Sequence, residues 1–187
     1  KLLSRYEIKN KLITYNDINE IKMTDIILDY LINDNDIALV SDAGTPCISD
    51  PGYRIVHKSL LSDINVISIP GPSSVQSAIS ISGLPSDNYF FQGFLPKKKG
   101  RKTKFEQLSL FDCTIIIFES PKRVKRTLKD IYFYMGDRAI TICKEISKIY
   151  ENVYIDRVSN LIDRFEDVNL KGEYVILIAK QKYKLTS

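Results

Sequence analysis

The chain has one histidine, His57, and three cysteines with no Cys-x-x-Cys among them, so it lacks the ligand spacing of a zinc site. Cys47, Cys113 and Cys143 are widely separated, and two of them sit in apolar, strand-like runs. That usage fits reduced thiols in a cytoplasmic protein and argues against a disulfide framework. No run approaches the roughly 20 apolar residues of a membrane span, and no secretory signal pattern opens the sequence. The phosphate-binding pattern G-x-x-x-x-G-K-[ST] and the dinucleotide pattern G-x-G-x-x-G are both missing, which argues against an ordinary nucleotide hydrolase or dehydrogenase. A Ser-His-Asp hydrolase would need His57, but that residue falls within a predicted helix and no G-x-S-x-G elbow accompanies it.

What the sequence does have is concentrated at residues 41–53, SDAGTPCISDPGY. The apolar run 37–40 before it reads as a buried strand, and Tyr53, Val56 and Leu60 after it recur at helical spacing. Asp50 followed by Pro51 is expected to cap that helix. A thirteen-residue strand-to-helix loop is far longer than the usual two to six residues, and strand carboxyl ends are where α/β sheets bind ligands. A second loop, PGPSS at 70–74, has the same context and offers free N–H groups at a helix start. Together the two loops outline a small-ligand cleft with hydroxyls from Thr45, Ser49, Ser73 and Ser74. Acid and base candidates at strand ends are Asp42, Asp50, Glu119, Lys144 and Glu145, with Asp50 already accounted for as a cap.

Along the chain, strands are predicted at 12–15, 37–40 and 64–69, with helices over 20–32, 53–61 and from 74 to about 83. Turn residues cluster at 82–88, marking a boundary between a first α/β domain, 1–84, and a second, 88–187. In the second, strands are expected at 89–94, 114–118, 139–143, 149–155 and 174–179, with helices at 121–135 and 159–165. Ser120 and Pro121 open the first of these helices and Gly136 closes it. Each half alternates strands with helices, so the chain reads as two α/β units, and the βαβα order of the first implies a parallel sheet covered by helices. Formal net charge is only +4, but basic residues gather in the second domain. Residues 97–104 carry Lys97, Lys98, Lys99 and Arg101, and the helix after Pro121 carries Lys122, Arg123, Lys125, Arg126 and Lys129. With little aromatic interleaving, such a pair reads as a phosphate track for folded RNA, or simply as two solvated faces.

Residues 41–53, 70–74, 82–96 (SGLPSDNYFFQGFLP), 119–123 (ESPKR), 144–148 (KEISK) and 171–173 (KGE) resemble, in order and across nearly the whole chain, the tetrapyrrole (class III) methyltransferase family. Within it the resemblance is closest to members that methylate a cytidine ribose 2′-hydroxyl of small-subunit ribosomal RNA. It implies S-adenosylmethionine in a cleft between two αβα domains with mainly parallel or mixed sheets, usually a homodimer, and the small ribosomal subunit or its RNA as partner; no metal is expected, from the single His and the missing Cys-x-x-Cys. It assigns Gly44, Thr45, Pro46, Ile48, Ser49, Ser73 and Ser74 to the methionine and ribose side of the cofactor. Gly93, Phe94, Leu95, Ile142 and Cys143 fall on the adenine side.

Family members carry a His-rich segment where this chain has 15–20, YNDINE, and a His where it has Lys122. They also open with a strand and a T-P-I-G-N-type loop that has no counterpart before Lys1, so the resemblance implies that the first domain lacks its opening strands. A ribose hydroxyl is a weak nucleophile near neutral pH, so a nearby base or a lysine that stabilises the developing oxyanion would help, and Lys144 and Glu145 are the expected catalytic pair. Lys97 and Arg123 are expected to hold RNA phosphates. Two alternatives stay open: a tetrapyrrole or protein side chain as acceptor, against which the basic stretches speak, and an RNA-binding fragment without catalysis.

Overall fold

The computed structural model describes residues 2–185. The chain divides into two compact units, Lys1–Gly71 and Pro72–Ser187. The turn-rich stretch at 82–88 lies inside the second of these, because the helix before it packs with that unit.

The first unit holds α1 (Leu2–Arg5), α2 (Glu20–Ile32) and α3 (Tyr53–Leu61). α2 packs against α3, with Thr24 and Ile27 of one and Ile55 and Ser59 of the other buried. The runs at 12–15, 37–40 and 64–69, expected as strands, form no ladder, and among the described residues this unit has no strand. Their composition is strand-like, but a strand exists only through a partner that takes up its N–H and C=O groups. No partner lies in register here, and Val40, Ile67 and Ile69 stand exposed. The cap of α3 also differs from expectation. Gly52, with φ +145°, is the N-cap, and Asp50 lies two residues upstream with an exposed side chain. The helix begins later than Pro51 because the chain makes a further turn at Gly52.

The second unit is a five-stranded mixed sheet with helices on both faces, in line with the mixed α/β expectation. It begins with α4 (Ser74–Ile81), β1 (Tyr89–Phe94), α5 (Arg101–Ser109), β2 (Thr114–Glu119) and α6 (Pro121–Met135). It continues with β3 (Ala139–Lys144), β4 (Asn152–Arg157), α7 (Val158–Phe165) and β5 (Tyr174–Ile178). Strand order is β1-β2-β5-β3-β4, and β1 pairs β2 in parallel while the other three pairings are antiparallel. Since β5 opposes both neighbours, β1, β2 and β3 run the same way, as helical crossovers require. α6 starts at Pro121 with Ser120 as N-cap and stops at Gly136, both as expected. α5 is not legible as a helix in the sequence, because RKTKFEQLS offers only Phe105 and Leu108 as an apolar stripe.

Side-chain alternation sorts the core by face. Ile115, Ile117, Ile140, Ile142 and Ile176 face α5, α6 and α7, where Phe105, Leu128, Ile131 and Leu161 meet them. Ile116, Cys143, Val175 and Leu177 face α4 through Val75, Ala78 and Ile79. β2 and β5 are buried on both faces and therefore read as unbroken apolar runs. Near the end of β1, pairing jumps from Phe91↔Ile116 to Gly93↔Ile117. Gln92 is the extra residue, and Gly93, at φ +69°, absorbs the bend that turns the chain into residues 94–97.

Candidate functional site

Because β1, β2 and β3 point the same way, their carboxyl ends share one edge of the second unit's sheet. Phe94 pairs with Phe118, Glu119 with Tyr174, and Lys144 with both Tyr174 and Asn152. That row brings Gly93, Phe94, Leu95 and Lys144 to one edge. Between the ends of β1 and β2 lies an open pocket of about 510 Å³, lined by Phe94, Leu95, Pro96, Lys97, Ser120 and Arg123. Its floor is apolar and its rim carries two cations and a hydroxyl, the make-up of a small-molecule site. Ile142 and Cys143 reach the same edge by backbone only, since both side chains are fully buried. Burial pushes the Cys143 thiol up to about 12, so it is a core group. Ser73 is the N-cap of α4, and its hydroxyl donates to Gln76 instead of capping the helix.

Lys144 is half-buried at the last position of β3. Glu145 follows at φ +51°, and Ser147 at φ +63°, a pair of left-handed non-glycine residues in one turn. The Glu145 carboxylate accepts from the Glu173 N–H at 2.8 Å and from Lys148 Nζ at 3.1 Å, while the Glu145 N–H donates to Glu173 O at 2.9 Å. The backbone N–H of Glu173, then the Lys148 ammonium, hold this carboxyl below its ordinary range. A carboxylate so stabilised is a poor proton acceptor. Gly172 makes the arrangement possible, because a Cβ there would lie 2.7 Å from the Glu145 side chain.

In the first unit, the loop 41–53 is tied to α2 by Glu20, which sequence reasoning misses. This carboxylate is nearly buried and accepts from the Gly52 N–H at 3.3 Å, Arg54 Nε at 3.1 Å and the Tyr15 hydroxyl at 3.3 Å. Ser41 Oγ donates to Gly44 O at 2.9 Å. Gly44, Cys47, Ser49 and Gly52 all have positive φ. A Cβ on Gly52 would come within 2.5 Å of Cys47 Sγ, so glycine is required there. Burial, then the Glu20 and Asp50 charges, raise the Cys47 thiol, which argues against a nucleophilic role. Thr45 and Pro46 are half-buried, and Gly44, Ile48 and Ser49 are exposed on the loop. Asp42 is exposed on it too, and with Asp17 it adds to burial in raising the Asp50 carboxyl.

The basic residues separate into two kinds. Lys97, Lys98, Lys99 and Lys122 are exposed. Arg101 is 4% exposed and paired with Asp130 at 2.7 Å, and Arg123 is paired with Glu119 at 2.6 Å. Glu119, an acid or base candidate by its strand-end position, has a fully buried side chain taken up by the Ser120 N–H, Arg123 and Thr127. Lys125 donates to Glu166 O, and Lys129 pairs with the Glu166 carboxylate at 3.6 Å, so much of the charge on α6 is matched within the unit. An i, i+4 Glu-Arg spacing across a helix start is the available signal for the Glu119–Arg123 pair. Among the described residues, no group of His, Cys, Asp and Glu is placed to hold a metal ion, and no helix is long and apolar enough to cross a membrane.

Comparison with known proteins agrees with this architecture. The chain is similar to Ribosomal RNA small subunit methyltransferase I of Thermotoga maritima, 38% identical over 95% of this chain and 80% of the relative. It is equally similar to the protein of that name from Halalkalibacterium halodurans, at 38% over 95% and 62%. The Vibrio cholerae protein of that name is 39% identical over 95% and 63%. The chain thus spans less than two thirds of the last two relatives. Among solved structures, the methyltransferase CobJ superposes with a TM-score of 0.64 at 12% identity, covering 90% of this chain and 74% of that one. Uroporphyrin-III C-methyl transferase from Thermus thermophilus, complexed with S-adenyl homocysteine, gives 0.60 at 14% over 89% and 75%. At such identities these likenesses speak to fold alone. The profile of the Tetrapyrrole (Corrin/Porphyrin) Methylases matches residues 6–162, as the sequence motifs led one to expect, and the chain belongs to that family.

Proposed function

We propose that the protein is an S-adenosylmethionine-dependent methyltransferase that modifies the ribose 2′-oxygen of a cytidine in small-subunit ribosomal RNA. The observation that carries this reading is the 38% identity, over 95% of the chain, to a relative named for that RNA. The residues present suit the cofactor. In the second unit, the apolar floor formed by Phe94, Leu95 and Pro96 matches a purine ring, and Ser120 on the rim matches ribose hydroxyls. Gly93, Ile142 and Cys143 contribute backbone at that edge, and Ser73 and Ser74 contribute hydroxyls at the start of α4. In the first unit, taken by itself, the loop of Gly44, Thr45, Pro46, Ile48 and Ser49 is read as cofactor-binding on the family resemblance of residues 41–53.

When bound, the cofactor would supply a methyl group already activated on a sulfonium, so the protein's work is alignment and charge stabilisation. Lys144, at the carboxyl end of β3, steadies the negative charge that develops on the attacking 2′-oxygen. Glu145, ion-paired and held below its ordinary range, braces the turn that presents Lys144, and the proton of the 2′-hydroxyl passes to solvent water and not to this carboxylate. Lys97, Lys98, Lys99 and Lys122 hold RNA phosphates and position the substrate. A cytoplasmic homodimer belongs to the same reading, and light scattering measures its assembly. Transfer of a labelled methyl to small subunits lacking the modification tests the whole. Lys144→Ala is expected to lower kcat by about 10²–10³-fold with cofactor affinity kept, as for loss of one oxyanion donor. A protein that binds the cofactor yet transfers no methyl overturns the reading.

A further inference from the structure

Three consecutive carbonyls at the exit of β1 are each taken by a different arginine. Arg123 Nη1 donates to Leu95 O at 3.1 Å, Arg101 Nη1 to Pro96 O at 3.2 Å, and Arg126 Nη1 to Lys97 O at 3.2 Å. Behind them, Thr127 joins two of the three. Its hydroxyl accepts from Arg101 Nη2 at 2.7 Å and donates to Glu119 Oε2, also at 2.7 Å. Glu119 Oε1 takes the Ser120 N–H and Arg123 Nε, and Asp130 takes Arg101 Nε. Two arginines thus face two carboxylates, with Thr127 and Glu119 fully sequestered. The geometry is that of planar forks filling fixed acceptors, a task lysine cannot perform.

We infer that Arg101 and Arg123, joined through Thr127 and Glu119, are positioning residues that set the backbone of residues 95–97 for the cofactor, and that the lysines alone meet RNA. The inference rests on the reading that this segment belongs to the cofactor site. Three features support it. Arg101 is too buried to reach a phosphate. Pro96 has no N–H, so its carbonyl, which Arg101 holds, is the one backbone group by which it can be hydrogen-bonded to the helices behind it. And Leu95, Pro96, Lys97 and Arg123 all line the pocket at the end of β1, so any loosening of the carbonyl grips changes the shape of that wall.

Thr127→Val removes the hydroxyl while keeping the side chain's shape, and Thr127→Ser restores it. Two measurements separate this inference from the reading beneath it. The first is amide hydrogen exchange of residues 95–99 in the protein without cofactor. The second is calorimetric affinity for S-adenosylmethionine and, separately, for small-subunit ribosomal RNA. In Thr127→Val, exchange at 95–99 is expected to quicken and cofactor affinity to fall about tenfold, the weight of roughly one hydrogen bond, with RNA affinity unchanged. Thr127→Ser is expected to behave as the parent. Unchanged exchange overturns the positioning role, whatever the cofactor does. Faster exchange with unaltered cofactor affinity overturns the assignment of this wall to the cofactor, and weakened RNA binding with intact cofactor binding returns the arginines to the RNA. Should Thr127→Val fail to fold, Asp130→Asn, at the partly exposed end of the network, is subjected to the same two measurements, and the same results support or overturn the inference.

Discussion

At the scale of single residues, Glu145 couples the stability of the turn after β3 to pH. Its folded carboxyl lies below the ordinary range, held first by the Glu173 N–H and then by Lys148. A depressed pKa gives stability that is present above the unfolded value, near 4.3, and is lost as pH falls through the folded value. Lys148 is raised through Glu173 and Glu145, so its share is present below the unfolded lysine value and is lost as pH climbs through the raised one. Glu145→Gln is therefore expected to lower the denaturation midpoint more near pH 7 than near pH 3, as chemical unfolding at the two pH values will measure. A deficit of equal size at both pH values refutes the electrostatic account. The motif KEISK is visible in the sequence, but the role of its glutamate is not. That role depends on a turn from another strand, 28 residues on, and on the missing side chain of Gly172, neither of which local spacing encodes.

At the scale of elements, the loose ends of helices and strands are tied by buried side chains. Arg138 is the clearest case. It is 4% exposed and donates to Met135 O at the end of α6, Ser109 O at the end of α5, and Ala179 O just past β5. Helix carboxyl ends carry partial negative charge, so two of them converging on one guanidinium compensate a cation whose pKa burial has lowered. Arg138→Lys keeps the charge but cannot serve three divergent carbonyls, and is expected to cost about 1–3 kcal/mol, the penalty for buried acceptors left unmet. Urea denaturation will show this as a lower midpoint. Elements whose signal is local are legible in the sequence: α6 from Ser120, Pro121 and Gly136, and β2 from its apolar run. α5 is not, because a buried arginine occupies the place where a hydrophobic residue would have completed the stripe. The runs at 37–40 and 64–69 mislead for the opposite reason, since apolar composition marks a capacity to pair and says nothing of whether a partner is present.

At the scale of the whole molecule, the two units differ in what holds them. The second has a sheet with a packed layer on each face. The first is a helix pair braced by Glu20, with long stretches outside regular structure and several apolar side chains in solvent. Local opening follows sparse packing, so limited proteolysis of the intact protein is expected to cut within 35–52 and 62–71 before any strand of the sheet. Early cleavage inside β2 or β5 contradicts that ranking. The strand order itself is not legible in the sequence, because which strand sits between which others is decided by long-range pairing. It nonetheless has a consequence in time. β5, the last of the five strands to leave the ribosome, occupies the middle of the sheet, between β2 and β3. Until residues 174–178 emerge, β1-β2 and β3-β4 are two separate ladders, each with an apolar edge strand waiting for the same partner. The sheet therefore closes late and all at once, and synthesis halted before Tyr174 leaves two sticky half-sheets in place of a stable intermediate.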